Sequence, residues 1–122
     1  MKIYNEIKLA QELIRFPTIK TEDKGISKFL YKKLSSIGFK CKIIKSKGFN
    51  SKPALNLYAR YGKFKPNLLW LGHLDVVMNL DNWNSPPFKG LIKKGYLNGR
   101  GSQDMKGAIA VSYTHLRAHE TR

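Results

Sequence analysis

The chain has 122 residues, which is enough for one domain at most. Its 23 Lys and Arg residues against 8 Asp and Glu residues give a net charge of +15. The lysines are spread over apparent polar faces and turns, so they indicate a solvated surface, or a field that steers an anionic substrate, rather than a nucleic-acid-binding module. The sequence has no run of the ~20 apolar residues that a membrane span needs and no apolar core of a signal peptide. We therefore expect a cytoplasmic protein without a membrane partner.

Two amphipathic helices are predicted in the first third of the chain. Apolar residues recur at helical spacing from about Asn5 to Arg15, and the Phe16-Pro17 step ends that pattern. A second apolar stripe runs from Ile26 to Ile37 and stops at Gly38. Thr21 is the expected N-cap of this second helix.

Short strands are predicted in the middle of the chain. Phe39–Ile44 and Ala54–Tyr61 have strand-like patterns and are separated by a polar loop, Lys45–Pro53. Leu91–Lys93 and Tyr96–Asn98 flank Lys-Gly, which predicts a hairpin. Helices followed by several strands and a further helix are typical of an α/β layered domain.

A histidine and a carboxylate follow the most apolar stretch of the chain. Leu68–Leu71 is a continuous apolar run, which predicts a strand buried on both faces, and Gly72 ends it. His73 and Asp75 are two residues apart, so in extended backbone they lie on the same side. A histidine there could bind a metal through one ring nitrogen while the carboxylate accepts the other N–H. A hydrogen-bonded surface histidine is the alternative.

A second carboxylate lies in a glycine-rich turn. Asp104 has Gly99, Gly101 and Gly107 around it, and Ala108–Ala110 begins a predicted helix. Glycines allow positive φ or a close approach of the backbone to another group. Asp104 could be a helix N-cap or a carboxylate directed at a metal, and its residue type alone leaves both open.

Three ordered motifs resemble one enzyme family. They are GHLDVV, WNSPPF and GYLNGRGSQDMKGAIA. Together they resemble the co-catalytic zinc amidohydrolases and exopeptidases, a family of desuccinylases, deacetylases, aminoacylases and carboxypeptidases. The resemblance extends from about Leu9 to Ala110, and ELIRFPTI and NLYARYG are most similar to the desuccinylase branch.

The resemblance implies a role for each candidate residue. His73 matches a ligand of one zinc, and Asp75 matches the catalytic carboxylate that orients this histidine. Asp104 matches the carboxylate that bridges two zinc ions, for which Co²⁺ is an alternative metal. The family also implies a layered α/β/α exopeptidase-like catalytic domain, truncated here, and a non-proline cis peptide bond at Asp104–Met105.

The implied reaction is hydrolysis of a linear amide. In the desuccinylase branch it converts N-succinyl-LL-2,6-diaminopimelate to LL-2,6-diaminopimelate and succinate, in lysine biosynthesis. An acetylornithine deacetylase or a peptidase of the same family is the alternative. The substrate would be a small anionic N-acylated amino acid, and the intact protein would be a homodimer. The general base, the other metal ligands and the dimerising domain would lie beyond position 110, so this chain itself should be inactive.

Residues 111–122 depart abruptly from the family pattern. His115 and His119 are four apart and would share a helix face, an arrangement that can bind zinc. However, VSYTHLRAHET resembles the translation of a transposase-type sequencing adaptor. We therefore expect residues 1–110 to belong to the catalytic domain and residues 111–122 to be a non-native tail.

Overall fold

Three helices surround the core in the computed structural model, which describes residues 4–47, 52–78 and 81–120. They are α1 (Asn5–Ile14), α2 (Ile26–Ser36) and α3 (Gly107–Glu120). The apolar faces of the three helices contribute to one buried core. The buried core cluster consists of Leu9, Ala10, Leu13, Ile26, Leu30 and Ala110. These residues recur at helical spacing within α1 and α2, so the amphipathic pattern itself determines this packing.

The start of α2 differs from the sequence prediction. The predicted N-cap was Thr21, but the N-cap residue is Gly25, and the side chain of Asp23 binds the backbone at the start of the helix. Its carboxylate accepts the backbone N–H groups of Gly25, at 3.0 Å, and Ser27, at 3.3 Å, together with the Ser27 hydroxyl. Because Gly25 has a φ of 93°, the backbone turns sharply there and the helix begins later than a cap at Thr21 requires.

The described strands form two antiparallel hairpins. The strands are β1 (Lys40–Lys47), β2 (Pro53–Arg60), β3 (Leu91–Lys93) and β4 (Tyr96–Asn98). β1 pairs with β2, and β3 pairs with β4. Lys94 and Gly95 connect β3 to β4 with φ angles of 50° and 80°, as a two-residue turn of this kind requires. Residues 48–51 of the predicted loop between β1 and β2 lie outside the described residues.

The predicted buried strand at Leu68–Leu71 is wrong for this structure. The segment forms no ladder with any described strand, and its side chains are exposed, from 57% for Trp70 to 86% for Leu68. A cavity of about 1070 Å³ is lined by this segment and by β2. A strand buried on both faces needs a hydrogen-bonded neighbour at its edges and apolar cover above and below. The described residues provide neither for Leu68–Leu71.

The mixed helix and strand composition of the prediction is confirmed. The α/β/α layering stays a prediction, because the described strands pair only within the two hairpins. None of the helices in the described ranges has the length and apolar character needed to cross a membrane.

Candidate metal centre

The segment that carries His73 and Asp75 is attached to the loop after α1. Val76 forms a parallel bridge with Ile19, and its N–H donates to the Thr18 carbonyl at 2.9 Å. The Thr18 hydroxyl donates to the carbonyl of Leu74, at 2.6 Å. These bonds to the loop after α1 hold the backbone around Leu74. The sequence had predicted that the end of a buried strand would do so.

Asp104 lies in an irregular turn that precedes α3. The turn, Ser102–Lys106, follows Gly101, whose φ is 84°, and the dihedral angles of Asp104 and Met105 are not helical. The peptide bond between Asp104 and Met105 is cis, as the family resemblance predicted. Asp104 is not the N-cap of α3, because this helix begins three residues later, at Gly107. The side chain of Asp104 is 82% exposed.

The structure brings all three predicted site residues together around the imidazole of His73. Its Nε2 lies 3.0 Å from Oδ1 of Asp104. Its Nδ1 lies 3.1 Å from the backbone carbonyl oxygen of Asp75 and 3.4 Å from Oδ1 of the same residue. The two carboxylates thus face opposite ring nitrogens. Accordingly, no group of three metal-ligating side chains converges on one point anywhere in residues 4–47, 52–78 or 81–120.

This arrangement affects the protonation of His73. Partial burial lowers its pKa, but the Asp75 carbonyl and the Asp104 carboxylate outweigh that effect, so the pKa is raised above the ordinary value of 6.5. The reason is that a neutral imidazole can donate from one nitrogen only, whereas both of these nitrogens face acceptors. The protonated ring satisfies both.

We expect an NMR titration of the metal-free protein to give a His73 pKa above 6.5, and Asp104→Asn to lower it. The substitution removes the charge that faces Nε2. Because the pKa of His73 is raised in the folded protein, protonated His73 stabilises the fold. This stabilisation is complete below about pH 6.5 and is lost as the pH rises through the folded-state pKa of His73. An unchanged His73 pKa in Asp104→Asn would show that this carboxylate does not interact with the ring in solution.

Two buried polar residues next to the site were missed by sequence reasoning. Thr18 is 1% exposed, although it lies in the loop after α1, and Lys106 is fully buried. The ammonium of Lys106 donates to the carbonyl of Phe16 at 2.7 Å. Desolvation of this ammonium lowers the pKa of Lys106 to about 8. Thr18 and Lys106 each join distant parts of the chain, so no local spacing could have indicated their contacts.

The histidine, the turn carboxylate and the mixed α/β fold are typical of metal-dependent hydrolases, and sequence comparison agrees. Residues 69–122 match the sequence model of peptidase family M20/M25/M40. All three candidate site residues, His73, Asp75 and Asp104, lie within the residues that match this family model.

Its curated relatives are succinyl-diaminopimelate desuccinylases. The protein of that name from Pelagibacter ubique is 58% identical over 90% of this chain and 29% of its own length. The relative from Anaplasma marginale is 40% identical over 89% of this chain and 28% of its own length. The chain thus spans less than a third of the relatives it matches.

A solved structure supports the fold. Human carnosine dipeptidase 1 superimposes with a TM-score of 0.81 over 95% of this chain and 28% of its own length, at 19% sequence identity. At this identity the similarity establishes the fold alone. The division into residues 1–110 and a tail from residue 111 stays a prediction.

Proposed function

We propose that this chain supplies part of the catalytic domain of a dinuclear-zinc amidohydrolase. Its reaction is the hydrolysis of N-succinyl-LL-2,6-diaminopimelate to LL-2,6-diaminopimelate and succinate. The observation that carries the proposal is the approach of His73 Nε2 to Asp104 Oδ1, at 3.0 Å, between two motifs 31 residues apart. The names of the curated relatives support the substrate.

The two side chains fit a zinc ion by type and by separation. An imidazole nitrogen and a carboxylate oxygen are both zinc ligands, at about 2.0–2.2 Å from the metal. Two such ligands in tetrahedral geometry lie about 3.3 Å apart, close to the observed separation of Nε2 and Oδ1. Bound zinc would act as a Lewis acid and lower the pKa of a water molecule to about 7.

Each residue would have a separate role. His73 would bind one zinc through Nε2, and its Nδ1–H would donate toward Asp75, which fixes the tautomer and the ring orientation. Asp104 has two carboxylate oxygens and is 82% exposed, so it can serve two ions at once. The remaining ligands and the general base would come from parts of the protein that this chain does not span.

Protonation of His73 would compete with metal binding. In the metal-free geometry an Nε2 proton faces Asp104, and the same nitrogen lone pair must be free to bind zinc. Because the pKa of His73 is raised, zinc affinity should decrease as the pH falls through that pKa.

The charge of the chain agrees with an anionic substrate. A net charge of +15 attracts a small N-acylated amino acid with several carboxylates and raises its rate of encounter. We propose that this reaction of a small metabolite takes place in the cytoplasm. Dimerisation through a further domain is part of the same proposal.

The test uses a chimera in which residues 1–110 replace the matching part of the Pelagibacter ubique relative. We expect two zinc ions per chain and succinate release. His73→Ala should lose one metal because it removes a ligand of a single ion. Asp75→Asn should retain both metals but lose about 10–100-fold in rate, the usual effect of changing a partner that orients a ligand.

Glu22→Gln is a suitable control, because Glu22 is an exposed carboxylate that pairs with Lys24 at 2.6 Å. It should retain both metals and the wild-type rate. Release of acetate from N-acetylornithine, with no release of succinate, would replace the proposed substrate with that of the deacetylases. A chimera with full activity after His73→Ala would refute the proposed site.

A further inference from the structure

One short segment contacts both halves of the candidate site. The segment Phe16–Lys20 follows α1 and bonds to Leu74 and Val76 on either side of Asp75. The bonds are the Thr18 hydroxyl to the Leu74 carbonyl, the Val76 N–H to the Thr18 carbonyl and the Lys20 N–H to the Val76 carbonyl, at 2.6, 2.9 and 3.0 Å. Leu74 lies directly after His73, so the position of the histidine depends on this segment.

The other half of the site is attached to the same segment by Lys106. Its ammonium is fully buried and donates to the Phe16 carbonyl, and Lys106 lies two residues after Asp104. Burial of an ammonium is costly, and an apolar side chain of similar length would avoid that cost. A lysine at this position therefore indicates that the hydrogen bond to the Phe16 carbonyl has a role beyond packing.

The two halves also touch directly. A Cβ added to Gly101 would lie 2.9 Å from Cγ1 of Val76 and 3.2 Å from Cδ of Lys106. The glycine turn, the His73 segment and the lysine stem are thus in close contact, and movement of one would displace the others. Close packing of this kind transmits small shifts.

We propose that Thr18 and Lys106 are positioning residues that set the separation between His73 and Asp104 through the Phe16–Lys20 segment. The proposal rests on the proposed function for its purpose, which is to hold two metal ligands at the spacing that zinc requires. Thr18 fixes the backbone next to His73, and Lys106 fixes the turn that contains Asp104. Both side chains are buried and bond to backbone carbonyls, so they act through the backbone.

The test compares Thr18→Val, which has nearly the same shape but no hydroxyl, with Thr18→Ser, which keeps the hydroxyl. Lys106→Met is the second variant, since it keeps the length of the stem and removes the ammonium. The first readout is the pair of ring-nitrogen NMR signals of His73 in the metal-free 122-residue chain. The Thr18 variants are compared with wild type at about pH 9, where a histidine with an ordinary pKa is neutral. Lys106→Met is compared with wild type at about pH 7, where the Lys106 ammonium, with a pKa of about 8, is charged. The second readout is the zinc concentration that half-saturates the chimera described above, which supplies the remaining ligands, near neutral pH.

We expect Thr18→Val and Lys106→Met to shift the His73 ring signals toward those of an unrestrained histidine. Both should raise the half-saturating zinc concentration about 10-fold, as expected when an outer partner of a ligand is lost. Thr18→Ser should keep the wild-type values of both readouts. This comparison separates the effect of losing the hydroxyl from the effect of changing the side-chain volume.

Ser27→Ala is the matched control. Ser27 is also a buried hydroxyl, but its partner is Asp23 at the start of α2. It should lower the urea midpoint without changing the His73 signals. The positioning role would be overturned if Thr18→Val and Thr18→Ser gave the same His73 signals, a comparison that decides the question even if Lys106→Met does not fold.

The failure of the proposed function would look different. In that case the wild-type chimera would bind no zinc and release no succinate. The metal-free signals of the Thr18 variants would still confirm or refute the positioning role.

Discussion

Asp104→Ala is expected to remove both zinc ions from the chimeric enzyme and to reduce succinate release to the background rate. A carboxylate that bridges two ions is a ligand of each, so its loss disrupts both sites, whereas His73→Ala affects one. Changing an outer partner of a ligand costs about 10–100-fold, so the loss of a ligand shared by two metals should exceed about 100-fold. Zinc stoichiometry and succinate release, measured on the same samples, check this prediction.

The three substitutions are expected to differ in the amount of zinc that each variant retains. Bound zinc should decrease from Asp75→Asn through His73→Ala to Asp104→Ala, because the three residues serve as an orienting partner, a ligand of one ion and a ligand of two. Equal metal loss in His73→Ala and Asp104→Ala would contradict the bridging role of Asp104. Full activity in Asp104→Ala would refute the whole mechanism.

Elements that are determined by local pattern could be predicted from the sequence. The helix predicted over Asn5–Arg15 is α1, which differs by one residue at its end, and the hairpin around Lys94 and Gly95 has the predicted strands. Both depend on interactions between residues close in sequence: the 3.6-residue apolar period and the positive φ of a two-residue turn. Such patterns are sufficient when the partner is local.

Leu68–Leu71 shows where local pattern is insufficient. Its composition is that of a buried strand, yet the described residues leave its side chains more than half exposed. Burial is a property of what packs on a segment, and the chain spans only 29% of the Pelagibacter ubique relative. A pattern can indicate that a segment is suited to a sheet interior, but it does not supply the neighbouring strands.

The residues of the candidate site show the same difference between local pattern and distant contacts. The motifs predicted His73, Asp75 and Asp104 as site residues because side chains with distinctive chemistry stand at fixed spacing in them. The structure brings these three residues together. Thr18 and Lys106 gave no comparable signal. A threonine in a loop and a lysine in a chain rich in lysine are common, and only their burial against distant carbonyls distinguishes them.

Gly107→Ala is expected to destabilise the 122-residue chain by about 1–3 kcal/mol, the range for overpacking in a tight interior. Gly107 is the first residue of α3 and has helical dihedral angles, so alanine alone would favour the helix by about 1 kcal/mol. However, its Cβ would lie well inside contact distance of the Ser102 backbone carbonyl. A backbone atom cannot rotate away as a side chain can, so the turn that contains Asp104 must shift.

Gly72→Ala is the matched control for this substitution. Its added Cβ would lie 3.4 Å from Cγ1 of Ile109 and 3.4 Å from Cε of Met105, which belong to side chains that can adjust. We therefore expect a change within about 0.5 kcal/mol, as for most surface substitutions. Urea unfolding of both variants measures the difference, since the midpoint decreases with stability when the slope is unchanged. Equal midpoints for Gly107→Ala and Gly72→Ala would mean that the turn before α3 has more room in solution than its close contacts indicate.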